Sequence, residues 1–155
     1  MAGKRTPAVA AAERAGIRFH VHEYDHDPRS TSFGLEAAEK LGLDPARVFK
    51  TLVLDVDGTL IVVVLPVGAQ LDLGVLGKRA QLADVTAVER TTGYVQGGIS
   101  PLGQRRRLPT VLDDSALGFS TIHVSAGRRG LELELAPGDL IALTGARTAA
   151  VASRR

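Results

Sequence analysis

The hydrophobic and polar positions along the 155-residue chain change their period several times, and each period predicts a different element. Thr6-Pro7 is typical of a helix start, and the residues after it predict a helix over Pro7–Ala15 that ends at Gly16. A second helix is predicted from a Ser30-Thr31-Ser32 cap to residue 41. A short turn of helix is predicted to start at Asp44-Pro45, and short helices are predicted at 72–79, 85–92 and 140–144.

The clearest strand signal is a pair of β-rich runs, Lys50–Val56 and Thr59–Val67, joined by Asp57-Gly58. This dipeptide favours a tight hairpin turn. The second run is apolar on both faces, which predicts a strand at the centre of a sheet. Other strands are predicted at 17–24, 109–112, 120–125 and 131–135. Strands and helices interleave without a regular βαβ rhythm, which favours an α+β fold with a mixed sheet or partial barrel.

A glycine-rich segment follows the predicted helix at 85–92. Within twelve residues it has four glycines, one serine and one proline, a composition that favours a loop with unusual backbone angles. Gly97 and Gly98 lack the Cβ atoms that would keep a ligand from main-chain N–H groups, while Pro101 biases Ser100 toward extended backbone. We predict a surface of backbone amides suited to a carbonyl group or an oxyanion. An ordinary tight turn is the alternative.

Composition narrows the function classes. The chain has no cysteine, which excludes disulfides, thiolate metal sites and a cysteine nucleophile and fits a reducing cytoplasm. No Gly-x-Ser-x-Gly elbow and no nucleotide-binding glycine motif that opens a helix is present. The first residues lack an apolar signal core, and no apolar run approaches the length of a membrane span. We expect one soluble, cytoplasmic domain over residues 1–155.

Basic residues cluster in two segments although the net charge is only +2. Arg105-Arg106-Arg107 follows the glycine-rich segment, and Arg128-Arg129 lies in a second glycine-containing segment. The two clusters could line one rim and meet phosphates, although a solvated surface is the alternative for each. Aromatic residues are scarce, so we expect contact with phosphates and a terminal nucleotide instead of a long single strand.

Lys50 stands at the start of the predicted central hairpin, in a chain where only four of nineteen basic residues are lysines. A compact ammonium group there could neutralise a phosphate or polarise a carbonyl group, or it could be a solvated strand end.

The histidines do not predict a metal site. His20 and His22 share one face of their predicted strand with Tyr24, which ends that strand where a cavity could open. However, His26 falls in a turn, and His123 is expected alone on a distant strand.

A series of short motifs runs in one order through nearly the whole chain. The motifs are Thr6–Val9, His22–Pro28, Phe33-Gly34, Leu41–Leu43, Val48–Leu52, Gln70–Leu73, Arg90–Tyr94, Gly97–Gln104, Arg107–Thr110 and Arg129–Leu131. In them the chain resembles the YbaK/EbsC-type Cys-tRNA(Pro) deacylases, and the Gly-Gly-Ile-Ser-Pro-Leu-Gly-Gln block is a specific match.

The resemblance implies a mixed, barrel-like β-sheet flanked by helices, similar to the editing domain of prolyl-tRNA synthetase. It also implies cleavage of the ester between a misattached amino acid and the 3′-terminal adenosine of tRNA. The substrate would be Cys-tRNA(Pro), with some activity on Cys-tRNA(Cys). No metal or organic cofactor is implied, because the thiol of the substrate would act as nucleophile and release a cyclic thiolactone. An associated prolyl-tRNA synthetase would supply tRNA selectivity.

The resemblance also assigns roles by position. Lys50 matches the lysine that holds the terminal nucleotide, and Gly97 matches the glycine whose main chain orients the aminoacyl group. Tyr24 and Phe33 match aromatic residues of the pocket wall. The other residues expected to bind substrate are Thr51, Gly98, Ile99, Ser100, Pro101, Ser125, Gly127 and Glu132.

Three departures from the family pattern bear on substrate range. Ala126 stands where close relatives tend to have glycine, and Glu132 stands where aspartate is frequent. The segment between Leu73 and Arg90 is several residues shorter than in relatives. Two alternatives therefore stay open: a related deacylase for alanyl or seryl esters, and a non-catalytic module that binds tRNA or a synthetase.

Overall fold

Four α-helices and eight β-strands make up the computed structural model over residues 5–153, the part of the chain that is described. The helices are α1 (Pro7–Ala15), α2 (Phe33–Leu41), α3 (Val85–Thr92) and α4 (Pro137–Thr144). The strands are β1 (Phe19–Glu23), β2 (Phe49–Val56), β3 (Thr59–Pro66), β4 (Ala80–Leu82), β5 (Thr110–Asp113), β6 (Ile122–Arg128), β7 (Leu131–Leu135) and β8 (Arg147–Ala149). Short 3₁₀ helices lie at Pro45–Arg47, Leu73–Val75 and Asp114–Gly118. Among these residues, no helix has the length and apolar character needed to cross a membrane.

The strands form two sheets, one of three strands in the order β1-β7-β6 and one of five in the order β4-β2-β3-β5-β8. β2 and β3 form the predicted hairpin, whose turn residues Asp57 and Gly58 have φ values of 52° and 85°. β5 is parallel to both β3 and β8, so the larger sheet is mixed. β3 lies at its centre, because its apolar side chains need cover on both faces. The predicted α+β class with a mixed sheet is confirmed.

The three-stranded sheet has one apolar and one polar face. In β7 the leucines Leu131, Leu133 and Leu135 alternate with Glu132 and Glu134. The leucines are buried in the main hydrophobic core, together with Ile122 and Val124 of β6. Side chains of paired residues in antiparallel strands share a face, so the other face carries glutamate, histidine and serine side chains: His20, His22, Glu132, Glu134, His123 and Ser125.

Part of this polar face is covered by the chain that leads into β2. Val48 forms a bridge to His123, and β2 packs against β6. As a result Glu132 and His123 are only 6% and 2% exposed, although both are polar. The candidate functional site is built against this covered face.

The prediction of a helix over 72–79 is wrong. Asp72 accepts a hydrogen bond from the N–H of Gly74 and starts a single 3₁₀ turn, Leu73–Val75. Gly77 then has a φ of 139°, which no helix allows, and the chain continues into β4 on the edge of β2. The three-residue strands β4 and β8 were not predicted, because such short segments have no readable period.

Candidate active site

A cavity of about 380 Å³ lies between the start of β2, the first turn of α2 and the glycine-rich loop, against the polar face of the three-stranded sheet. This volume is within the range of small-molecule sites. Eight of the twelve residues predicted to bind substrate line it: Tyr24, Phe33, Lys50, Thr51, Gly97, Ile99, Ser125 and Glu132. Folding therefore brings together residues from six separate segments of the chain.

Lys50 is half-buried at the start of β2. Its Nζ donates a hydrogen bond to the carbonyl oxygen of Ala69 at 2.8 Å, which holds the side chain against the loop after β3. Burial lowers the pKa of Lys50. Since an ammonium group has three N–H donors, two remain for an anion in the cavity.

Gly97 has a φ of 89°, and a Cβ at this position would lie 2.8 Å from Phe33 Cδ1 and 2.8 Å from Arg129 Nε. Arg129 donates a hydrogen bond to the carbonyl oxygen of Gln96 at 2.8 Å, and its guanidinium carbon lies 4.8 Å from the centre of the Phe33 ring. The loop, the ring and the guanidinium group are thus packed closely around Gly97. Only glycine satisfies both the backbone angle and the space.

The prediction of free backbone amides holds for part of the loop. The N–H of Gly98 donates to the carbonyl oxygen of Val95 at 2.9 Å, so it closes a turn and is not available to a ligand. The N–H groups of Gly97 and Ile99, by contrast, have no partner among residues 5–153. These two amides are therefore available to donate a hydrogen bond to a ligand.

The floor of the cavity is polar and buried. Burial raises the pKa of Glu132 to about 8, so this carboxyl group is protonated near neutral pH and can both donate and accept hydrogen bonds. Burial, and then the charge of Glu132, raise the pKa of Tyr24 to about 12. Ser125 lies opposite Glu132 on the next strand, and its Oγ accepts a hydrogen bond from the N–H of Gly127 at 3.2 Å. The buried Oγ1 of Thr51 has no partner among the described residues.

The other four predicted residues do not line the cavity. A Cβ at Gly98 would lie 2.7 Å from Arg128 Cα, so this glycine permits the loop to approach the β6–β7 turn. Ser100 is fully buried and accepts a hydrogen bond from the N–H of Leu102, while Pro101 lines a second cavity. Gly127, at a φ of 107°, makes room for Tyr94. All four shape the frame around the site.

Neither arginine cluster lines the main cavity, although Arg129 packs against residues that do. Arg129 contacts the loop and Phe33, and Arg128 pairs with Glu23 at 3.1 Å. None of the residues Arg105–Arg107 lines the main cavity, and Arg107 lines the second one.

The prediction that His123 stands apart from the other histidines is wrong. The β1-β7-β6 order brings its ring to 5.3 Å from the ring of His22, with Glu134 beside both. His26 has a different partner, because its Nδ1 is 2.6 Å from Glu36 Oε1. Glu36 also accepts a hydrogen bond from the N–H of Asp27 at 2.8 Å, which ties the segment before α2 to the helix.

Several further residues line the cavity. Phe49 and Leu52 add apolar wall and lie within the motif Val48–Leu52, although no role was predicted for them. Gln96, Thr31, Ser32 and Val67 lie outside the motifs. Gln96 and Ser32 directly precede Gly97 and Phe33, and this position next to a motif was their available signal.

The sequence model of the family described as "Aminoacyl-tRNA editing domain" matches residues 27–143. The chain is 34% identical over 157 residues to "Putative Cys-tRNA(Pro)/Cys-tRNA(Cys) deacylase EbsC" of Enterococcus faecalis, spanning 97% of this chain and 95% of that protein. It is 26% identical over 135 residues to YwhH of Bacillus subtilis, spanning 80% and 86%. A crystal structure described as "a putative trans-editing enzyme for prolyl tRNA synthetase" has a TM-score of 0.83 and 28% identity over 95% of both chains. The resemblance carried by the motifs is confirmed.

Proposed function

Since this chain belongs to the aminoacyl-tRNA editing domain family, we propose that it is a trans-editing deacylase that cleaves the aminoacyl ester of Cys-tRNA(Pro). The observation that carries the proposal is the half-buried ammonium group of Lys50 in one cavity with the free N–H of Gly97 and the buried carboxyl group of Glu132. A cation, an amide donor and a neutral acid in a small cavity suit the end of a charged tRNA: a phosphate, an acyl oxygen and a ribose.

The nucleotide end would be held by Lys50. Its fixed hydrogen bond to Ala69 pre-organises the ammonium group, and its remaining donors would bind a phosphate oxygen of the terminal nucleotide. Arg129 at the mouth would add positive charge toward the rest of the acceptor strand. The exposed mouth and small volume favour one terminal nucleotide over a longer single strand.

The aminoacyl end would lie deeper, between Tyr24 and Phe33. The N–H of Gly97 would bind the carbonyl oxygen of the ester and stabilise the negative charge that develops there. The protonated carboxyl group of Glu132 and the unpaired hydroxyl group of Thr51 would bind a ribose hydroxyl or the amino group of the substrate.

The nucleophile would come from the substrate. No histidine of the described residues lines the cavity and the chain has no cysteine, so the lining offers neither a thiolate nor a serine–histidine pair as nucleophile. The sulfur of the cysteinyl group would attack its own ester carbon, forming a C–S bond while the C–O bond to the ribose breaks. The thiol proton goes to the ribose oxygen, which gives a cyclic thiolactone and deacylated tRNA. The protein contributes position and electrostatic stabilisation.

Substrate range follows from the same argument. Fit alone discriminates by only about 1–3 kcal/mol per methylene-sized difference, so alanyl and seryl esters enter the cavity too. Selectivity among tRNAs would come from prolyl-tRNA synthetase as a partner in the cytoplasm, and Cys-tRNA(Cys) would be a secondary substrate. The whole chain would act as a single editing domain.

The test is deacylation of radiolabelled Cys-tRNA(Pro), Ala-tRNA(Pro) and Ser-tRNA(Pro) by the wild type, Lys50→Ala and the control Lys78→Ala. Lys78 is exposed and does not line the cavity, so its variant controls for the loss of one positive charge. We expect cysteinyl ester cleavage with thiolactone among the products, a loss of at least about a hundredfold in Lys50→Ala, and near wild-type rates in Lys78→Ala.

A tRNA charged with S-methylcysteine distinguishes attack by the sulfur of the substrate from attack by water, because the methylated sulfur cannot form the thiolactone. Cleavage of this ester at the cysteine rate would contradict the substrate-assisted route while leaving a deacylase. Cleavage of alanyl or seryl esters without cleavage of cysteinyl esters would show that the chain is the related deacylase for those esters. If no ester is cleaved with prolyl-tRNA synthetase present, the chain is a binding module.

A further inference from the structure

A second cluster of functional groups lies beside the cavity on the polar face of the three-stranded sheet. One potential ligand atom each from His22, His123 and Glu134 lies within 4.8 Å of the other two. His22 Nε2 is 2.8 Å from Glu134 Oε1. The three residues come from β1, β6 and β7, so their arrangement depends on the pairing of all three strands.

The buried member of the cluster is His123. It is only 2% exposed, and its Nδ1 has no hydrogen-bond partner within the described part of the chain. An unpaired ring nitrogen in such a place is unusual, since buried polar atoms are nearly always satisfied.

Glu134 is held by groups outside the cluster. Its Oε2 accepts a hydrogen bond from the hydroxyl group of Thr121 at 2.6 Å, and Arg47 donates in turn to that hydroxyl at 2.7 Å. Oε1 is thereby directed toward His22. Such outer contacts are typical of metal-binding carboxylates, which need a fixed orientation.

We propose that His22, His123 and Glu134 bind a divalent transition-metal ion of the zinc type, with a fourth position open to solvent. Two imidazole nitrogens and one carboxylate oxygen are a donor set that zinc accepts and that magnesium and calcium do not favour. The half-exposed side chain of His22 leaves an entry path. The proposal goes beyond the proposed deacylase function and does not depend on it.

An ion bound through Nε2 of His22 and Oε1 of Glu134 would replace the hydrogen bond between them, and the bound imidazole would be the neutral tautomer with its proton on Nδ1. Ligand atoms of a tetrahedral zinc ion lie about 3.3 Å apart, so the cluster has to contract by about 1.5 Å at its widest. Arg47 lies 4.0 Å from Glu134 Oε2 and offsets part of the carboxylate charge, which lowers affinity but leaves Oε1 free to bind. The site adjoins the Ser125–Glu132 pair, so an ion would also fix the floor of the cavity.

The test is titration of the untagged, full-length protein with Co²⁺ and Zn²⁺. Tetrahedral Co²⁺ absorbs visible light far more strongly than octahedral Co²⁺, so its spectrum reports the geometry directly. We expect one ion per chain with a tetrahedral spectrum, displacement by Zn²⁺ and no displacement by Mg²⁺. His22→Ala, His123→Ala and Glu134→Gln should each weaken binding by more than about tenfold.

His20→Ala is the matched control, because His20 lies on the same strand and face but is exposed and outside the cluster. His22→Ala keeps the test valid if the buried His123→Ala variant does not fold. An octahedral Co²⁺ spectrum, no saturable binding, or equal weakening by His20→Ala and His22→Ala would overturn the proposal.

Discussion

Neighbouring glycines in the loop have different physical roles. Gly97 lines the cavity and has a free N–H. The space that its Cβ would occupy is filled by Phe33 and Arg129. Gly98 uses its N–H within the loop and faces the backbone of Arg128. A Gly-Gly pair in a sequence predicts a tight loop, but not which of the two amides is available.

Gly97→Ala tests the role of the first glycine. Its positive φ costs an alanine about 1–2 kcal/mol, and the new methyl group would displace Phe33 and Arg129. We expect a destabilised protein whose deacylase rate falls by at least about tenfold, because the amide moves relative to the ester.

Urea unfolding and deacylation of Cys-tRNA(Pro) measure the two effects separately. Gly138→Ala is the control, since a Cβ at Gly138 meets no atom within 4 Å. Unchanged activity in Gly97→Ala would show that this amide does not bind the ester.

Two glutamates on one strand have opposite pKa shifts. Burial raises the pKa of Glu132 to about 8, since no described residue donates a hydrogen bond to its side chain. Two residues further along, hydrogen bonds from Thr121 and His22 outweigh burial and lower the pKa of Glu134 to about 2. Two glutamates in one alternating pattern thus differ in charge, because side chains donate hydrogen bonds to Glu134 and none of the described residues does so to Glu132.

At the scale of elements, the loop after α3 is held in shape by its own side chains. The hydroxyl group of Tyr94 donates to the carbonyl oxygen of Leu102 at 2.6 Å, and the N–H of Tyr94 donates to the hydroxyl oxygen of Thr92. Gln104 donates from its side chain to the carbonyl oxygen of Ser100 at 3.0 Å. The ends of the loop are therefore fixed before a ligand binds, which favours catalysis by position.

Tyr94→Phe removes the hydroxyl group that joins the two ends of this loop. A buried carbonyl group left without its donor costs about 1–3 kcal/mol, so we expect a loss of stability of that size. Deacylase activity should fall with it, because the position of Gly97 depends on the loop.

Tyr24→Phe is the comparison for stability, because its half-buried hydroxyl group accepts from the backbone N–H of Gly130 and donates to no described carbonyl group, so we expect a smaller loss than in Tyr94→Phe. Urea unfolding of both variants is the measurement. An equal loss of stability in the two variants would contradict the assigned role of Tyr94.

For the whole molecule, the covered polar face makes stability depend on pH through Glu132. Its pKa is about 8 in the folded protein and near the model-compound value of 4.5 in the unfolded chain. Between these values the unfolded chain releases the proton and the folded protein keeps it. Stability therefore falls as pH rises across this window, by up to about 1.4 kcal/mol per pH unit.

Glu132→Gln removes this contribution to the pH dependence of stability, since glutamine is neutral at every pH. We expect the variant to gain stability relative to the wild type as pH rises from about 5 to about 8. Urea unfolding at several pH values across this range is the measurement. His123, whose pKa is lowered, gives a dependence of opposite sign at lower pH, but it is present in both proteins and cancels in the difference. A constant difference would show that Glu132 is ionised in the folded protein.

Local patterns in the sequence determined much of the fold. A cap with proline and a terminal glycine fixed the bounds of α1, and Asp57-Gly58 fixed the β2–β3 hairpin. The apolar run of β3 determined its central place in the sheet. These features are readable because each depends on residues a few positions apart.

The motifs also indicated the family and eight residues of the cavity, but only the tertiary structure decided the environment of each group. His22 and Glu134 are 112 positions apart, and no local pattern indicates that β1, β7 and β6 bring them together with His123. The burial that raises the pKa of Glu132, and the close contacts that require glycine at position 97, likewise come from elements distant in sequence. Period and capping act over a few residues, whereas charge state and available space depend on which strands and loops pack together.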